Sequence, residues 1–527
     1  MVYKYPQSSS DGIVASENGN ASFLGGMILS EGGNAVDAAV VTSLTLAITL
    51  PHLGGLGGDF FALVKIGSEI VFIDGSGPSP AELSITYMAR MGYKQMPSRG
   101  PFTITVPGMI DSLYTMWRRY GKLEWNYLVR LVSEFAKKGF LTPYSLAMAI
   151  KRNYDILSID PGSARTFLGI SKPYIHARFE GASEALNLIA DDHRSFYEGD
   201  IARKISSYVR DRGGALKVDD LASYKARIVN PLKLEYKGCI VYEGPPPTQG
   251  ATTLYMLKIL DNYYRGELEL TRPNSYERVE LLAKLVHPAY LLRDKYITDP
   301  SFMDIDPYNL LDDELIKTAL EESTKPRNSL TSKQQGIGDT TFFAIGDKDG
   351  NLVAGIQSLY NHFGSGLTEP YYQIPLNNRG SDFSLDYNHT NRLEPQKRTL
   401  HTLSAMIIDC GEKIYAIGTS GGHYRPQLHW WFLTNILHYS MSIQEAIEYP
   451  RFLLDVRNRV AIYEEGIKVE EDFKLKYGYK LQQLKYPSRT GVASILELSP
   501  GSILVGGTDT RGEGVAVPAY LKPLLRR

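Results

Sequence analysis

The chain has 527 residues, 43% of them hydrophobic, and a formal net charge of -1, values that suit a globular protein forming one large domain or two to three smaller ones. Lys and Arg are scattered and matched by Asp and Glu, so the basic footprint of a nucleic-acid binder is missing. The longest apolar run, about Ala38 to Leu50, is too short to span a bilayer, and the N-terminal stretch lacks the apolar core of a signal peptide. The expected location is therefore the cytoplasm, without a membrane partner. Cys239 and Cys410 are the two cysteines, from which no disulfide framework and no Cys-based metal spacing are expected, in keeping with a reducing compartment.

In chain order, "GGNAVDAAVVTSLTLAITLPHLGGLGGDFFALVKI" predicts a helix from about Asn34 closed by Pro51, a glycine-rich turn (Gly54, Gly55, Gly57, Gly58) and a strand from Phe60 to Ile66. A dinucleotide fingerprint runs strand, glycines, helix; here the glycines follow a helix and precede a strand, so close backbone packing is the better use of them. Residues from roughly 110 to 320 read as mostly helical, with the loop "GPPPTQG" (244–250) between a strand around Ile240 and a helix starting near Ala251. The segment 321–338 has almost no large apolar residue and is expected to be exposed and mobile. Beyond it the apolar period changes to two. "TTFFAIG" and "NLVAGIQSLY" flank the turn "DKDG" (347–350), "TLSAMIID" and "KIYAIGTS" flank "CGE", and "ASILELSPGSILVGGTD" reads as a further hairpin. A helix covers about Pro426 to Tyr439, and Ser442 with Glu445 forms a capping box for the next. Helices early and hairpins late suggest α+β layers.

The first chemical signal is the pair Thr340–Thr341 at the junction between the polar segment and a strand. A threonine in a strand is ordinarily a β-branched residue packed on a pleated surface. Were the Asp339–Thr340 bond cut, Thr340 would carry its hydroxyl and a free α-amine on one residue, and such amines titrate near ~8, close enough to neutrality to take the hydroxyl's proton. The same hydroxyl could make the cut by attacking the Asp339 carbonyl, an N-to-O acyl shift giving an ester that water opens to release two chains. The competitor is "GTSGG" (418–422), which matches the nucleophile elbow between a predicted strand and helix and makes Ser420 a second candidate. Against it, His423, His429 and His438 lie in or beside the next helix, too close in sequence to arch back easily, and no parallel sheet is visible. Read the other way, the N–H groups of Gly421 and Gly422 at a helix start form an oxyanion hole. No His or carboxylate spacing fits a metal.

From "GGNAVDAAVVTSLTLAITLPHLGGLGGDFFALV" through "FYEGDIARKI", "GDTTFFAIGDKDGNLV", "FGSGL", "LNNRGSDFSL", "KRTLHTLSAM", "GTSGGHYRPQ" and "AIEYPRF" to "GGTDTRGEGVA", the chain resembles the γ-glutamyltransferases, which are N-terminal nucleophile hydrolases. The resemblance covers nearly the whole chain in the family's order. It implies a four-layer αββα sandwich built from two products of self-cleavage, residues 1–339 as large chain and 340–527 as small chain. Thr340 falls at the nucleophile position, with Thr341 a supporting strand residue. Ser358 falls at the hydroxyl that hydrogen-bonds the nucleophile, Gly421 and Gly422 at the oxyanion hole, and Asp382 at the acid that binds the glutamyl α-amine.

The departures concern substrate. Ser76 stands where the family has the arginine that grips the α-carboxylate, Arg379 where it has an amide, Tyr360 where it has an asparagine, and His401 with Thr402 where it has a serine pair. Because arginine binds carboxylates bidentately and stays charged, losing one cation and gaining another beside Asp382 should change which end of a substrate is recognised. The pattern is most similar to the divergent glutamyltransferase-like subgroup, whose members include an oxamate amidohydrolase. The implied activity is a self-processing amide hydrolase or acyltransferase that cleaves γ-glutamyl amides through an acyl-Thr intermediate without metal or organic cofactor. The alternatives are hydrolysis of a small carboxylate amide such as oxamate, a Ser420 hydrolase, and a non-catalytic scaffold. The implied partners are a small-molecule amide and the two chains for each other; association of several copies is allowed.

Overall fold

The helix read from Asn34 begins where its own polar side chain allows it: Asn34 accepts the N–H groups of Val36 and Asp37, and Asp37 reaches back to the Asn34 N–H in a capping box. The computed structural model describes residues 3–323, 339–488 and 490–520. Helix α1 (Gly19–Ser30) precedes this one, α2 (Ala35–Thr49), every residue of which is buried. Pro51 does not close α2; Leu50 does, and Pro51 opens a short helix, α3 (Pro51–Gly54), at the position where its missing N–H costs nothing. Further along come α4 (Met109–Tyr120), α5 (Trp125–Lys138), α6 (Gly250–Tyr263), α7 (Tyr276–Tyr296), α8 (Asp313–Ser323), α9 (Arg425–Leu437) and α10 (Ile443–Glu448), the last with the expected Ser442–Glu445 capping box. The expectation of an exposed, mobile 321–338 segment falls mostly outside the described residues; its first three close α8.

The strands that carry the architecture are β1 (Gln7–Ser9), β2 (Gly12–Ser16), β3 (Asp59–Ile66), β4 (Glu69–Gly75), β5 (Arg227–Val229), β6 (Leu232–Tyr236) and β7 (Cys239–Glu243). After residue 338 follow β8 (Asp339–Asp347), β9 (Leu352–Tyr360), β10 (Met406–Asp409), β11 (Ile414–Thr419), β12 (Ala493–Ser499), β13 (Ile503–Thr508) and β14 (Val515–Pro518). They form two seven-stranded sheets, in the orders β1-β13-β12-β11-β10-β7-β6 and β14-β2-β8-β9-β3-β4-β5. The three hairpins read from the sequence, β8–β9, β10–β11 and β12–β13, are all present and antiparallel.

The sheets pack face to face through Phe61, Phe342, Ala344, Ile356, Ala416 and Leu496. The outer face of the second sheet turns Phe60, Phe343, Ile345 and Val353 onto α1, α2, α4 and α5, while the first sheet is covered by α6, α7, α9 and α10. This is the four-layer αββα sandwich. Strands covered on both faces need apolar residues at consecutive positions, which explains why β8 reads "TTFFAIG" rather than strictly alternating. The glycines after α3 serve close approach as expected: a Cβ on Gly58 would lie 2.6 Å from the Ser358 carbonyl oxygen.

One expectation is overturned. Cys239 and Cys410, 171 residues apart, are joined by a disulfide. The β7–β10 ladder runs to Asp409 opposite Ile240, so the next pair in register brings the two cysteines together, a cross-strand neighbourhood that sequence distance conceals.

Between the sheets a Cβ on Gly418 would overlap the Phe342 ring. Gly418→Ala should therefore cost about 1–3 kcal/mol of stability through overpacking, read as a lower denaturant midpoint. Adding Phe342→Leu should recover part of the loss; no recovery would refute this account of the contact.

Candidate active site

The β8–β9 pairing is regular from Thr341 opposite Gln357 to Gly346 opposite Leu352, but at its open end Asp339 faces Tyr360, so the register shifts across Thr340. The extra residue lies on β9, where Ser358 and Leu359 together face the single Thr340, and such a bulge interrupts the pairing and re-aims the side chains there. Thr340 is 2% exposed, and its Oγ1 donates to Ser358 Oγ at 3.4 Å, a long contact. Ser358 Oγ is itself fixed by the Tyr360 N–H at 2.7 Å. Thr341 is buried in the strand, as a supporting residue would be.

Tyr360 ends β9 with φ +85°, a conformation costly for a side chain of this size and one found at functional sites. The turn sends its hydroxyl to Asp382 Oδ1, to which it donates at 2.9 Å. Asp382 ends the single turn Arg379–Asp382. Burial alone would raise its carboxyl, but the neighbouring His423 and then Arg457 and Arg379 outweigh this and bring it down to about 2, so it is a carboxylate at neutral pH. Its Oδ2 is buried with no protein partner among the described residues.

Arg379 is 1% exposed and lies over the Tyr360 ring, 4.2 Å from the centroid. Its Nε points at Asp59 Oδ2 (3.4 Å) and its Nη1 donates to Thr402 Oγ1 (3.2 Å), while Nη2 has no partner among the described residues. Asp59, fully buried at the start of β3, also accepts from His401 Nε2 at 2.9 Å. Since His401 Nδ1 accepts the Leu403 N–H, the proton belongs on Nε2, facing Asp59. Burial, then Arg379, hold the imidazole down to about 4 against the pull of Asp59, so His401 is neutral.

Gly421 (φ +147°) and Gly422 (φ +52°) form the turn from β11 into α9. Because Gly418 lies against Phe342, this turn sits at the Thr340 end of the sandwich. No acceptor among the described residues meets either N–H. One side chain ties the turn to the rest: Gln249 Nε2 donates to the carbonyls of both Thr402 and Gly422, each at 2.8 Å. Thr340, Ser358, Tyr360, Asp382, Arg379, Thr402, His401 and the glycine turn thus belong to one linked cluster.

Two candidates stand apart from it. Ser76 donates to Asp74 Oδ1 at 2.6 Å, and its carbonyl accepts from Arg398 Nε. Ser420 is pinned by Val492, whose N–H its Oγ accepts at 2.8 Å. His423 offers Ser420 no base, since its Nε2 faces Tyr360 and Asp382 and its Nδ1 faces Arg293. The reading of the sequence missed Asp59 and Gln249, and weighed His423 as a base for Ser420 rather than as a neighbour of Asp382. Asp59 had a signal, an acid placed between a glycine run and an apolar strand; Gln249 had none. Among the described residues no group of three or more His, Cys, Asp or Glu could hold a metal ion, and no helix is long and apolar enough to cross a membrane.

The model of the gamma-glutamyltranspeptidase family matches residues 21–519. The chain is 37% identical over 521 residues to the glutathione hydrolase-like YwrD proenzyme of Bacillus subtilis, covering 96% of this chain and 98% of that protein. It is 30% identical to the oxamate amidohydrolase proenzyme of Klebsiella pneumoniae over 93% of this chain and 95% of the other. Among solved structures, a cephalosporin acylase from Bacillus halodurans superposes with a TM-score of 0.89 at 29% identity, covering 99% of this chain and 98% of that one.

A histidine depressed from 6.5 to about 4 binds its proton less readily in the fold than in the unfolded chain. Its contribution is complete above pH 6.5 and is lost as pH falls toward 4, on the order of 3 kcal/mol over the window. The melting temperature of the wild type should drop more steeply over that range than that of His401→Gln. Parallel profiles would show that His401 is not held neutral by the fold.

Proposed function

The chain belongs to the γ-glutamyltranspeptidase family, and on that premise we propose that it is a self-processing amide hydrolase or acyltransferase with Thr340 as nucleophile. Thr340 Oγ1 attacks the Asp339 carbonyl, the C–N bond of that peptide breaks as the ester forms and so frees the Thr340 amine, and water then hydrolyses the ester to release the Asp339 carboxylate and restore the hydroxyl. In turnover this amine takes the hydroxyl's proton while the oxygen attacks the substrate amide. The N–H groups of Gly421 and Gly422 receive the developing oxyanion, the amine returns the proton to the leaving nitrogen, and water or an acceptor amine resolves the acyl ester. Ser358 holds the hydroxyl in line. No step calls on a metal or organic cofactor. The observation that carries this reading is Thr340 itself: out of the ladder, hydroxyl on Ser358, at the same end of the sandwich as two donors without a protein acceptor among the described residues.

The open valences describe the substrate. Asp382 Oδ2 asks for a donor or cation, and Arg379 Nη2 for an acceptor or anion, each buried and therefore costly to leave unmet. A γ-glutamyl group, with its α-amine and α-carboxylate, meets both demands. A second reading, a short carboxylate amide such as oxamate, is favoured by one observation: the buried cation is Arg379, next to Thr402, while the position expected to carry an arginine is Ser76, bonded to Asp74. The Klebsiella relative named for oxamate agrees with it.

On a reducing denaturing gel the wild type should give two bands, the smaller beginning Thr-Thr-Phe-Phe. Thr340→Ala should give one band and no turnover, and Thr340→Ser should still cleave. Turnover by Thr340→Ala, or a different new terminus, would overturn the proposal. With γ-glutamyl-p-nitroanilide and oxamate as substrates, Arg379→Gln should lower kcat/KM for the true one roughly 10²-fold, since a buried charge partner is lost. An unchanged value would remove Arg379 from the pocket.

A further inference from the structure

Cys239 lies before the Asp339–Thr340 bond and Cys410 after it. We propose that their disulfide is a covalent tether between the two chains that self-cleavage produces, a cross-link site independent of the catalytic groups. The inference rests on self-cleavage at Thr340.

The strand order shows what the tether adds. Strands from before residue 339 meet strands from after it at β1–β13, β7–β10, β2–β14, β2–β8 and β3–β9, so the two segments interleave in both sheets. Hydrogen bonds and burial already hold them together while the sheets are intact. If those ladders open, two separate chains can diffuse apart, and recovery becomes a bimolecular event that depends on concentration. A bond across β7–β10 keeps the partners at high effective concentration and makes recovery a one-molecule process.

Position separates this role from chemistry. Cys410 sits at the β10–β11 turn, whereas β11 runs from that turn to Thr419 and the glycine pair, so the disulfide and the Thr340 cluster lie at opposite ends of the hairpin. Cys239 Sγ meets the Lys237 carbonyl at 4.0 Å, a group outside the cluster. Formation needs an oxidant, a low-molecular-weight disulfide such as oxidised glutathione. The thiolate of one cysteine attacks it and releases one small thiol; the thiolate of the other then attacks the mixed disulfide, closing the protein S–S bond and releasing a second, with two protein thiols and one small disulfide becoming one protein disulfide and two small thiols.

The test is a pair of gel lanes from purified protein treated with oxidised glutathione and then N-ethylmaleimide, one run with reductant and one without. The expected pattern is two bands with reductant and one without, at the combined size. Two bands in both lanes overturn the tether and leave cleavage standing. One band in both lanes defeats the cleavage reading, and the tether falls with it. Cys239→Ser should show two bands in both lanes and keep kcat within about 2-fold, because it shares no partner with the catalytic cluster. Its melting temperature should fall on dilution where that of the wild type does not. A single unreduced band from a cleaved Cys239→Ser protein would mean that some other bond links the chains, and would overturn the assignment.

Discussion

The site depends on burial of the β8–β9 pair on both faces. With one sheet packed against the other through Phe342 and Ala344, and the helical layer set on Phe343 and Ile345, a slip of one residue would exchange the two sets of side chains and spoil both contacts at once. The register is therefore fixed along the ladder, and the irregularity is confined to its open end, where Thr340 leaves the pairing. The close approach of Gly418 to Phe342 then sets the height of the facing sheet. The glycine turn that follows β11 inherits its position from that packing rather than from any direct bond to the threonine.

Around this frame the molecule buries charge that it does not fully satisfy. Asp59 and Arg379 are removed from water and the Asp382 side chain is 8% exposed, and each retains one buried polar atom without a protein partner among the described residues. Desolvation of an ion pair often costs as much as the pairing returns, so such an arrangement is a poor device for stability alone. It is well suited to a pocket, where a ligand supplies the missing partners and the low local dielectric strengthens each new bond. The aromatic face of Tyr360 supports the guanidinium and its hydroxyl steers the carboxylate, so one strained residue orients both signs of charge.

What could be read from the sequence follows a physical divide. The helix from Asn34, the strand after the glycines and the three hairpins rest on local caps, turns and periodicities, and all of them stand. Thr340 and the glycine pair could be singled out as candidates because they stand beside a cleavable bond and at a strand-to-helix turn, whereas Ser358 came only from the family resemblance; the structure brings Thr340 and Ser358 into contact. The role of Pro51 was misjudged because a proline that stops one helix is equally able to start another. Asp59 and Gln249 escaped because their importance lies in partners more than 150 residues away, Arg379 and His401 for one and Thr402 and Gly422 for the other. The same blindness to long range hid the pairing of the cysteines.

Strand β8 has a neighbour from the N-terminal segment on one side, β2, and its hairpin mate β9 borders β3 on the other. The Thr340 hydroxyl thus acquires its surroundings only after residues translated hundreds of codons earlier have docked alongside it. If Thr340 is the nucleophile, activation is a receipt for completed folding: a nascent, truncated or misassembled polypeptide holds an ordinary, inert threonine, and the cell is never exposed to a loose nucleophile.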